Sequence, residues 1–371
     1  MGEKFLVVGA GISGSVIANL ISQDEYNKIT IIDRLDHVGG NCYDYRDENG
    51  IMIHKYGSHI FHTSNENVWN YLNKFTSFKT YTHRVRAVIK GEEVEIPFNF
   101  GSIHQCFSKE LAERIEKKLL SHYKYGAKIP IRDFMEQEDE DLRFLAQFVY
   151  DNIFVNYTSK QWGKNPNELD GAVTARVPVL IGYDSRYFQD KYQGIPSEGY
   201  TKMIENMLKR PNIEVRLGVD FKDIDISDYD KIFYTGPVDE LMGYECGQLP
   251  YRSERFVFET YKMEHYQSGA VINYPNDHEY TRIHEYKYYL DDKSDKTVIA
   301  KEYPEVFSIG KNERYYPIPT EENDVLYQKI VLGVQKKYSN IYLLGRLGDY
   351  KYYDMDKAVA RAMEVYREVF L

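Results

Sequence analysis

Two textures alternate along the chain. Short apolar runs recur at Phe5-Leu6-Val7-Val8, Ile29-Thr30-Ile31-Ile32, Ile213 to Leu217, Lys231-Ile232-Phe233-Tyr234 and Ile341-Tyr342-Leu343-Leu344, and each reads as a strand. Between them the period lengthens. Ser15 to Ile21, Asn67 to Phe75, Gly199 to Leu208 and Met355 to Phe370 read as helices, the last with Ala358, Ala362, Val365 and Val369 on or near one face. A middle block, about 100 to 195, reads as a helical insertion within an α/β protein. Leu111, Ile115 and Leu119 recur at four-residue spacing, and Leu142, Leu145, Val149 and Ile153 mark a further helix behind the acidic start at Glu136 to Asp141. A third texture is alternating and rich in turns: Val85 to Ile89 and Glu92 to Ile96 around Lys90-Gly91, then short strands from Phe256 to Lys301, which predict an antiparallel layer. The first texture brackets the other two, so its domain is discontinuous.

The first strand runs into Gly9-Ala10-Gly11-Ile12-Ser13-Gly14, and the second ends on Asp33. Each position has a physical task in a dinucleotide site. Gly9 permits the tight turn, Gly11 lets the backbone approach a pyrophosphate, and Gly14 lets the helix pack against the sheet while its N-H groups face the anion. Asp33 can accept hydrogen bonds from ribose hydroxyls. Gly39-Gly40-Asn41 resembles the second glycine pair of flavoproteins and favours FAD over NAD.

Composition narrows the setting. A length of 371 residues exceeds what one hydrophobic core usually serves, so two or three domains are expected. The net charge of −10 argues against non-specific nucleic-acid binding but allows a phosphorylated ligand wherever arginines gather. Cys42, Cys106 and Cys246 are too scattered for a metal motif or a disulfide scaffold, which points to a reducing compartment and no metal. No apolar stretch approaches 18 residues and the first strand begins almost at once, so neither membrane insertion nor a secretory signal is read and a cytoplasmic protein is expected. The 35 tyrosines offer flat apolar area with a hydroxyl, suited to sugars and bases as well as to core packing.

Taken in order, Gly9-Ala10-Gly11, Gly39-Gly40-Asn41, Tyr56 to His62, Phe154 to Trp162, Thr174 to Pro178, Asp184 to Phe188 and Gly345-Arg346-Leu347 through Asp356 make the chain resemble the UDP-galactopyranose mutase family over essentially its whole length. The resemblance implies an α/β fold: a discontinuous Rossmann-like FAD-binding domain (1–80, 197–245 and 314–371), a helical domain (99–196) with a mobile substrate loop at 176–183, and a separate twisted antiparallel β-sheet layer (81–98 and 246–313). It implies a homodimer through the helical domain, although the Leu111/Ile115/Leu119 face serves internal packing equally well. The implied reaction interconverts UDP-galactopyranose and UDP-galactofuranose by covalent catalysis through N5 of reduced FAD, with NAD(P)H or another reductant as electron source. The product would supply galactofuranose to cell-surface glycans.

Residue by residue, the family's phosphate arginines fall on Arg176 and Arg282, where a guanidinium can grip phosphate through two donors. Tyr187, Tyr316 and Tyr352 match its phosphate-side tyrosines, and Phe154, Tyr157, Thr158 and Trp162 its uracil site. Phe188, Asn273 and Asp354 are expected to line the substrate as well. Arg176, Arg282 and His59 are the expected catalytic groups, with His59 placing the sugar. The expected FAD contacts are Gly9, Gly11, Ile12, Ser13, Gly14, Asp33, Arg34, Gly39, Gly40, Asn41, His59, Ile60, Arg346, Tyr353, Asp354 and Met355. An FAD-dependent amine or porphyrinogen oxidoreductase would carry much the same nucleotide motifs, and a flavin-containing binding protein is a third reading. Consumption of an electron acceptor separates the oxidase from the mutase, and interconversion under reducing conditions separates both from the binder.

Overall fold

Phe5, Leu6 and Val7 are fully buried because their strand, Lys4–Val8, lies in the middle of a sheet covered on both faces. A computed structural model describes residues 2–135, 137–162 and 178–371, with residues 132, 161 and 162 described by backbone alone. The sheet is parallel and five-stranded, in the order Ile213–Leu217, Lys28–Asp33, Lys4–Val8, Lys231–Tyr234, Ile341–Leu343. Three separate stretches of chain therefore build one sheet. The helix Ile12–Ile21 packs against Met355–Phe370, whose buried Ala358 and Ala362 allow close approach.

The second layer has seven strands, in the order Tyr316–Pro317, Tyr251–Tyr261, Thr297–Val306, Arg282–Glu285, Val271–Asn273, Val85–Ile89, Glu92–Ile96. It is mixed rather than purely antiparallel. Val271–Asn273 runs parallel to Val85–Ile89, since the two come from distant parts of the chain and no hairpin fixes their relative direction. The helical block holds Phe100–Cys106, Lys109–His122, Ile131–Met135 and Glu140–Val149, the last continuing through a π-turn at Tyr150–Phe154 into Val155–Trp162. Asp139 caps Glu140–Val149 by accepting from the N-H groups of Asp141 and Leu142, which explains the acidic start. Ile115 and Leu119 are buried, and Leu111 is partly buried against the same core, so these three side chains pack within this chain.

Three expected boundaries move. Tyr192–Pro196, assigned to the helical domain, pairs with Phe61–Thr63 and Phe78–Thr80, and so belongs structurally with segments of the dinucleotide side. Tyr316–Pro317 joins the seven-stranded sheet through Tyr251 and Arg252. Within the expected mobile loop 176–183, Pro178–Leu180 is a strand paired with Lys128–Pro130, and Val179, Leu180 and Ile181 are buried. Moving that half would unpair a ladder and expose three core side chains; residues 176 and 177 lie outside the described residues.

Candidate active site

The glycine turn is held by hydrogen bonds to the backbone. Gly9 takes φ +102°, in the region that favours glycine, and its N-H donates to the carbonyl of Ile32 at 2.8 Å. A Cβ on Gly14 would stand 1.9 Å from the carbonyl oxygen of Gly9, so the helix could not approach the turn. At Gly11 nothing lies nearer than 3.8 Å to such a Cβ. That space belongs to the cavity, which runs from Gly9, Gly11, Ile12 and Ser13 past Asp33, Arg34 and Gly39-Gly40-Asn41 to His59, Arg346, Tyr353 and Met355. A groove floored by bare backbone at a helix start fits a dinucleotide pyrophosphate. Asp33 serves the turn itself: its carboxylate accepts from the N-H of Ala10 at 2.8 Å and of Leu35 at 2.9 Å, which occupies part of the capacity expected for ribose. Arg34 pairs with Glu313 at 3.0 Å on the rim. Ile60 is buried behind the wall.

His59 and Arg346 form the far end of the cavity. The ring Nδ1 of His59 donates to the carbonyl of Gly57 at 2.8 Å, and its backbone N-H donates to His54 Nδ1 at 3.0 Å. Burial, with the Arg346 charge second, lowers His59 to about 4, so the imidazole is neutral near pH 7 and Nε2 keeps a lone pair for a ligand donor. Arg346 donates to the carbonyls of Tyr315 and Tyr353 at 3.1 and 2.8 Å and lies 4.9 Å over the ring of Tyr316. Tyr316 stacks on Tyr352 at 5.2 Å. Asp354 takes the N-cap position of the last helix without accepting from its N-H groups, so its carboxylate is not spent on capping.

Beside this end stands one face of the seven-stranded sheet. Cross-strand register places Asn273, Arg282, Glu302 and Phe256 in a row. Arg282 Nε lies 3.2 Å from Glu302 Oε1, and its Nη2 donates to the Tyr157 hydroxyl. Glu302 also accepts from Thr281 Oγ1 at 3.1 Å and from His284 Nε2 at 2.8 Å. An ionised carboxylate can only accept, so Nε2 carries the imidazole proton, and Nδ1 accepts from Ser58 Oγ at 2.5 Å. Tyr289 donates in turn to Ser58. Every donor in this chain points toward Glu302. Burial opposes its charge, yet Arg282 and the His284 bond hold it down at about 2. Burial likewise opposes the charge of Arg282, which Glu302 more than restores.

The expected residues do not all converge. Arg282, Tyr157, Asn273, Tyr316, His59 and Arg346 come together, and the Oδ1 of Asn273 is buried without a hydrogen-bond partner. Tyr187 is half exposed beside His83, and Phe188 stacks on His62 at 3.6 Å. Thr158 is buried. Phe154 is 1% exposed and packs on Tyr150, which makes it a core residue here and not an open stacking wall. Arg176 and the Trp162 side chain lie outside the described residues. Sequence reasoning missed Arg252, Glu254, His284, Glu302 and His83, a buried histidine whose Nδ1 has no partner. The available signal was charge at period two, Arg252 with Glu254 and Arg282 with His284, in a region read only as alternating strands. Among the described residues no group of three or more His, Cys, Asp or Glu side chains could hold a metal ion, and no helix is long and apolar enough to cross a membrane.

Comparison with known proteins agrees with this geometry. A family model described as UDP-galactopyranose mutase matches residues 152–352, and one described as an NAD(P)-binding Rossmann-like domain matches residues 7–75. The chain is 40% identical over 366 residues to a probable UDP-galactopyranose mutase of Klebsiella pneumoniae, covering 98% of this chain and 93% of that one. It is 37% identical to a dTDP-fucopyranose mutase of Escherichia coli, covering 98% and 97%. Among solved structures, reduced UDP-galactopyranose mutase superimposes with a TM-score of 0.73 at 18% identity, covering 100% of this chain and 94% of that one. A putative protoporphyrinogen oxidase from Exiguobacterium follows with a TM-score of 0.66 at 13% identity, covering 100% and 99%, a likeness of fold alone.

Proposed function

Because the chain belongs to the UDP-galactopyranose mutase family, we propose that it interconverts UDP-galactopyranose and UDP-galactofuranose with FAD as its cofactor. The observation that carries this reading is the contact between the two halves of the site: Arg346 closes the dinucleotide cavity and at the same time stacks on Tyr316 beside the Arg282 face. Gly9 to Gly14, Asn41, Met355 and Tyr353 hold the FAD. When bound and reduced, it supplies a nucleophilic nitrogen, N5, for covalent catalysis at the anomeric carbon.

The chain's own residues orient the sugar and receive charge. Arg282, together with Arg176, holds the pyrophosphate and neutralises the charge that gathers on departing UDP. Tyr187, Tyr316 and Tyr352 donate to the phosphates without adding charge. Tyr157, whose hydroxyl accepts from Arg282, lines the base, and His59 Nε2 accepts from a sugar hydroxyl. The product's use in surface glycans, a cytoplasmic location and a homodimer formed through the helical segment belong to the same reading.

Anaerobic, dithionite-reduced protein incubated with UDP-galactofuranose should yield UDP-galactopyranose on chromatography, over many turnovers and without an electron acceptor. Oxidised protein should yield almost none. Equal rates in both states, or product tied to acceptor consumption, would overturn the reading. The Escherichia coli relative favours a second one, in which the sugar is 6-deoxy and the base thymine. Faster turnover of dTDP-fucofuranose than of UDP-galactofuranose would select it.

A further inference from the structure

Arg282 meets Glu302 by charge and not by a directed bond. Its Nε stands 3.2 Å from Glu302 Oε1, yet that buried nitrogen makes no hydrogen bond among the described residues. The directed bonds to the carboxylate come from elsewhere: Thr281 Oγ1 donates to Oε1 at 3.1 Å, and His284 Nε2 donates to Oε2 at 2.8 Å. One bond alone would let the carboxylate swing about the bonded oxygen, and the second fixes its plane. The guanidinium rests against a group held from behind and keeps a donor for an incoming anion. Where the carboxylate turns, Arg282 follows, because separating a buried charge from its partner is strongly unfavourable.

His284 can hold Glu302 only in one tautomer. An imidazole that donates from Nε2 must accept at Nδ1, and Nδ1 lies 2.5 Å from Ser58 Oγ. The hydroxyl of Tyr289 donates to Ser58, so the proton of Ser58 is left for His284. Tyr289 and His284 are both buried, which keeps water from competing for these bonds. Ser58 itself precedes His59, which walls the dinucleotide cavity. Gly57 lets this loop lie on the sheet: it takes φ +91°, and a Cβ there would stand 2.9 Å from the ring of Phe256, the cross-strand neighbour of Glu302.

On the pyrophosphate reading given above, we propose that His284 is the positioning residue of Arg282: locked by Ser58 in the tautomer that donates to Glu302, it sets the plane of that carboxylate and through it the angle at which the guanidinium meets a diphosphate. The two ring nitrogens have separate tasks, so amide side chains can separate them. Glutamine carries its amide where Nε2 stands and keeps a donor for Glu302. Asparagine carries its amide where Nδ1 stands and keeps a partner for Ser58 but none for Glu302. A residue that merely fills the core makes no such distinction in ligand affinity.

The probe is UDP, titrated calorimetrically into the FAD-loaded protein, with flavin absorbance checking that the cofactor cavity is kept. His284→Asn should bind UDP about tenfold more weakly than native protein and His284→Gln within about twofold of it, the span of one directed hydrogen bond to a charged group. Ser58→Ala frees the ring to take either tautomer, and should weaken binding about threefold in the native background and not at all beside His284→Gln. The proposal fails if His284→Asn binds UDP as native protein does, if His284→Gln is as weak as His284→Asn, or if Ser58→Ala has the same effect in both backgrounds. Should neither His284 variant fold, Ser58→Ala alone decides, and an undiminished affinity overturns the proposal. Arg282→Ala tells this failure from that of the reading beneath it. If that variant also binds UDP as native protein does, the phosphate role of Arg282 falls and the positioning role with it; if it binds weakly while His284→Asn does not, the positioning role alone falls.

Discussion

The grip at Gly9 to Gly14 is made of main chain, and the face around Arg282 is made of side chains. In the grip, function comes from what is missing: Cβ atoms at Gly9, Gly11 and Gly14, and helical N-H groups left without intrahelical partners. In the sheet face, function comes from long side chains held against their own desolvation, with Arg282, Glu302 and His284 each opposed by burial. The first costs little to build and is intolerant of added atoms. The second is costly to build and intolerant of lost charges. The same contrast governs where each kind of substitution does harm.

Gly14→Val should have the largest effect. With the carbonyl of Gly9 at 1.9 Å and a Val7 methyl at 3.2 Å from the new Cβ, strand and helix must separate. Overpacking of a tight core costs about 1–3 kcal/mol and sometimes more, and here backbone is the obstacle. Neither folded protein nor bound flavin is expected, as read by thermal unfolding and by absorbance. Gly11→Ala sharpens the point, because its Cβ meets nothing within 3.8 Å and its φ of −74° suits any residue. That variant should melt near the native temperature and lose FAD. Retained flavin would show that the cofactor does not pass over Gly11.

On the sheet face, Arg282→Ala should destabilise by about 3–5 kcal/mol, because Glu302 is left charged and 5% exposed without its partner. It should also lower kcat/KM sharply. Replacing both partners, Arg282→Met with Glu302→Leu, should recover much of the stability and none of the activity. If denaturant unfolding shows the double variant no more stable than the single one, the ion pair is not the source of the loss.

This division also decides what could be read beforehand. The grip is contiguous, and its glycines announce the backbone conformations that require them. Regular elements with a clean period were legible to the residue, as at Val85–Ile89, Glu92–Ile96, Lys231–Tyr234 and Met355–Phe370. The helix Glu321–Lys337 went unread because only Ile330 and Val334 are buried on its 17 residues, too few to set a period. The sheet face was hidden for the opposite reason. On Tyr251–Tyr261, Arg252 and Glu254 are buried at 5% and 9% while Phe258 is 38% exposed, inverting the sense in which a strand is normally read. The partners of that face also lie on separate strands, and only the fold brings Arg282 to Glu302 and Ser58 to His284.

Asp33 tests whether the grip is purely main chain. Its carboxylate joins the turn at Ala10 to the end of Lys28–Asp33, so Asp33→Ala leaves two backbone N-H groups without their acceptor. A cost of about 1–3 kcal/mol is expected in the protein without flavin. An unchanged melting temperature together with weakened flavin binding would return Asp33 to the ribose role alone.

The smallest effect concerns His59, which stands between the two regions and is charged in neither. Its value in the fold is lowered to about 4, chiefly by burial, against an ordinary value near 6.5 in the unfolded chain. Between those values the unfolded chain binds the proton and the folded one does not, so stability rises with pH. His59 therefore contributes fully above about pH 6.5, and its contribution is lost as the pH falls toward 4, by up to about 1.4 kcal/mol per pH unit. His59→Asn removes this part of the acid dependence and leaves those of His54, His83 and His284, which are lowered by the same cause. Urea unfolding at pH 7, 6 and 5 should give the variant a shallower decline than native protein. Parallel declines would mean that His59 carries its proton at pH 5 in the fold as it does in the unfolded chain, so that burial does not hold its imidazole neutral there.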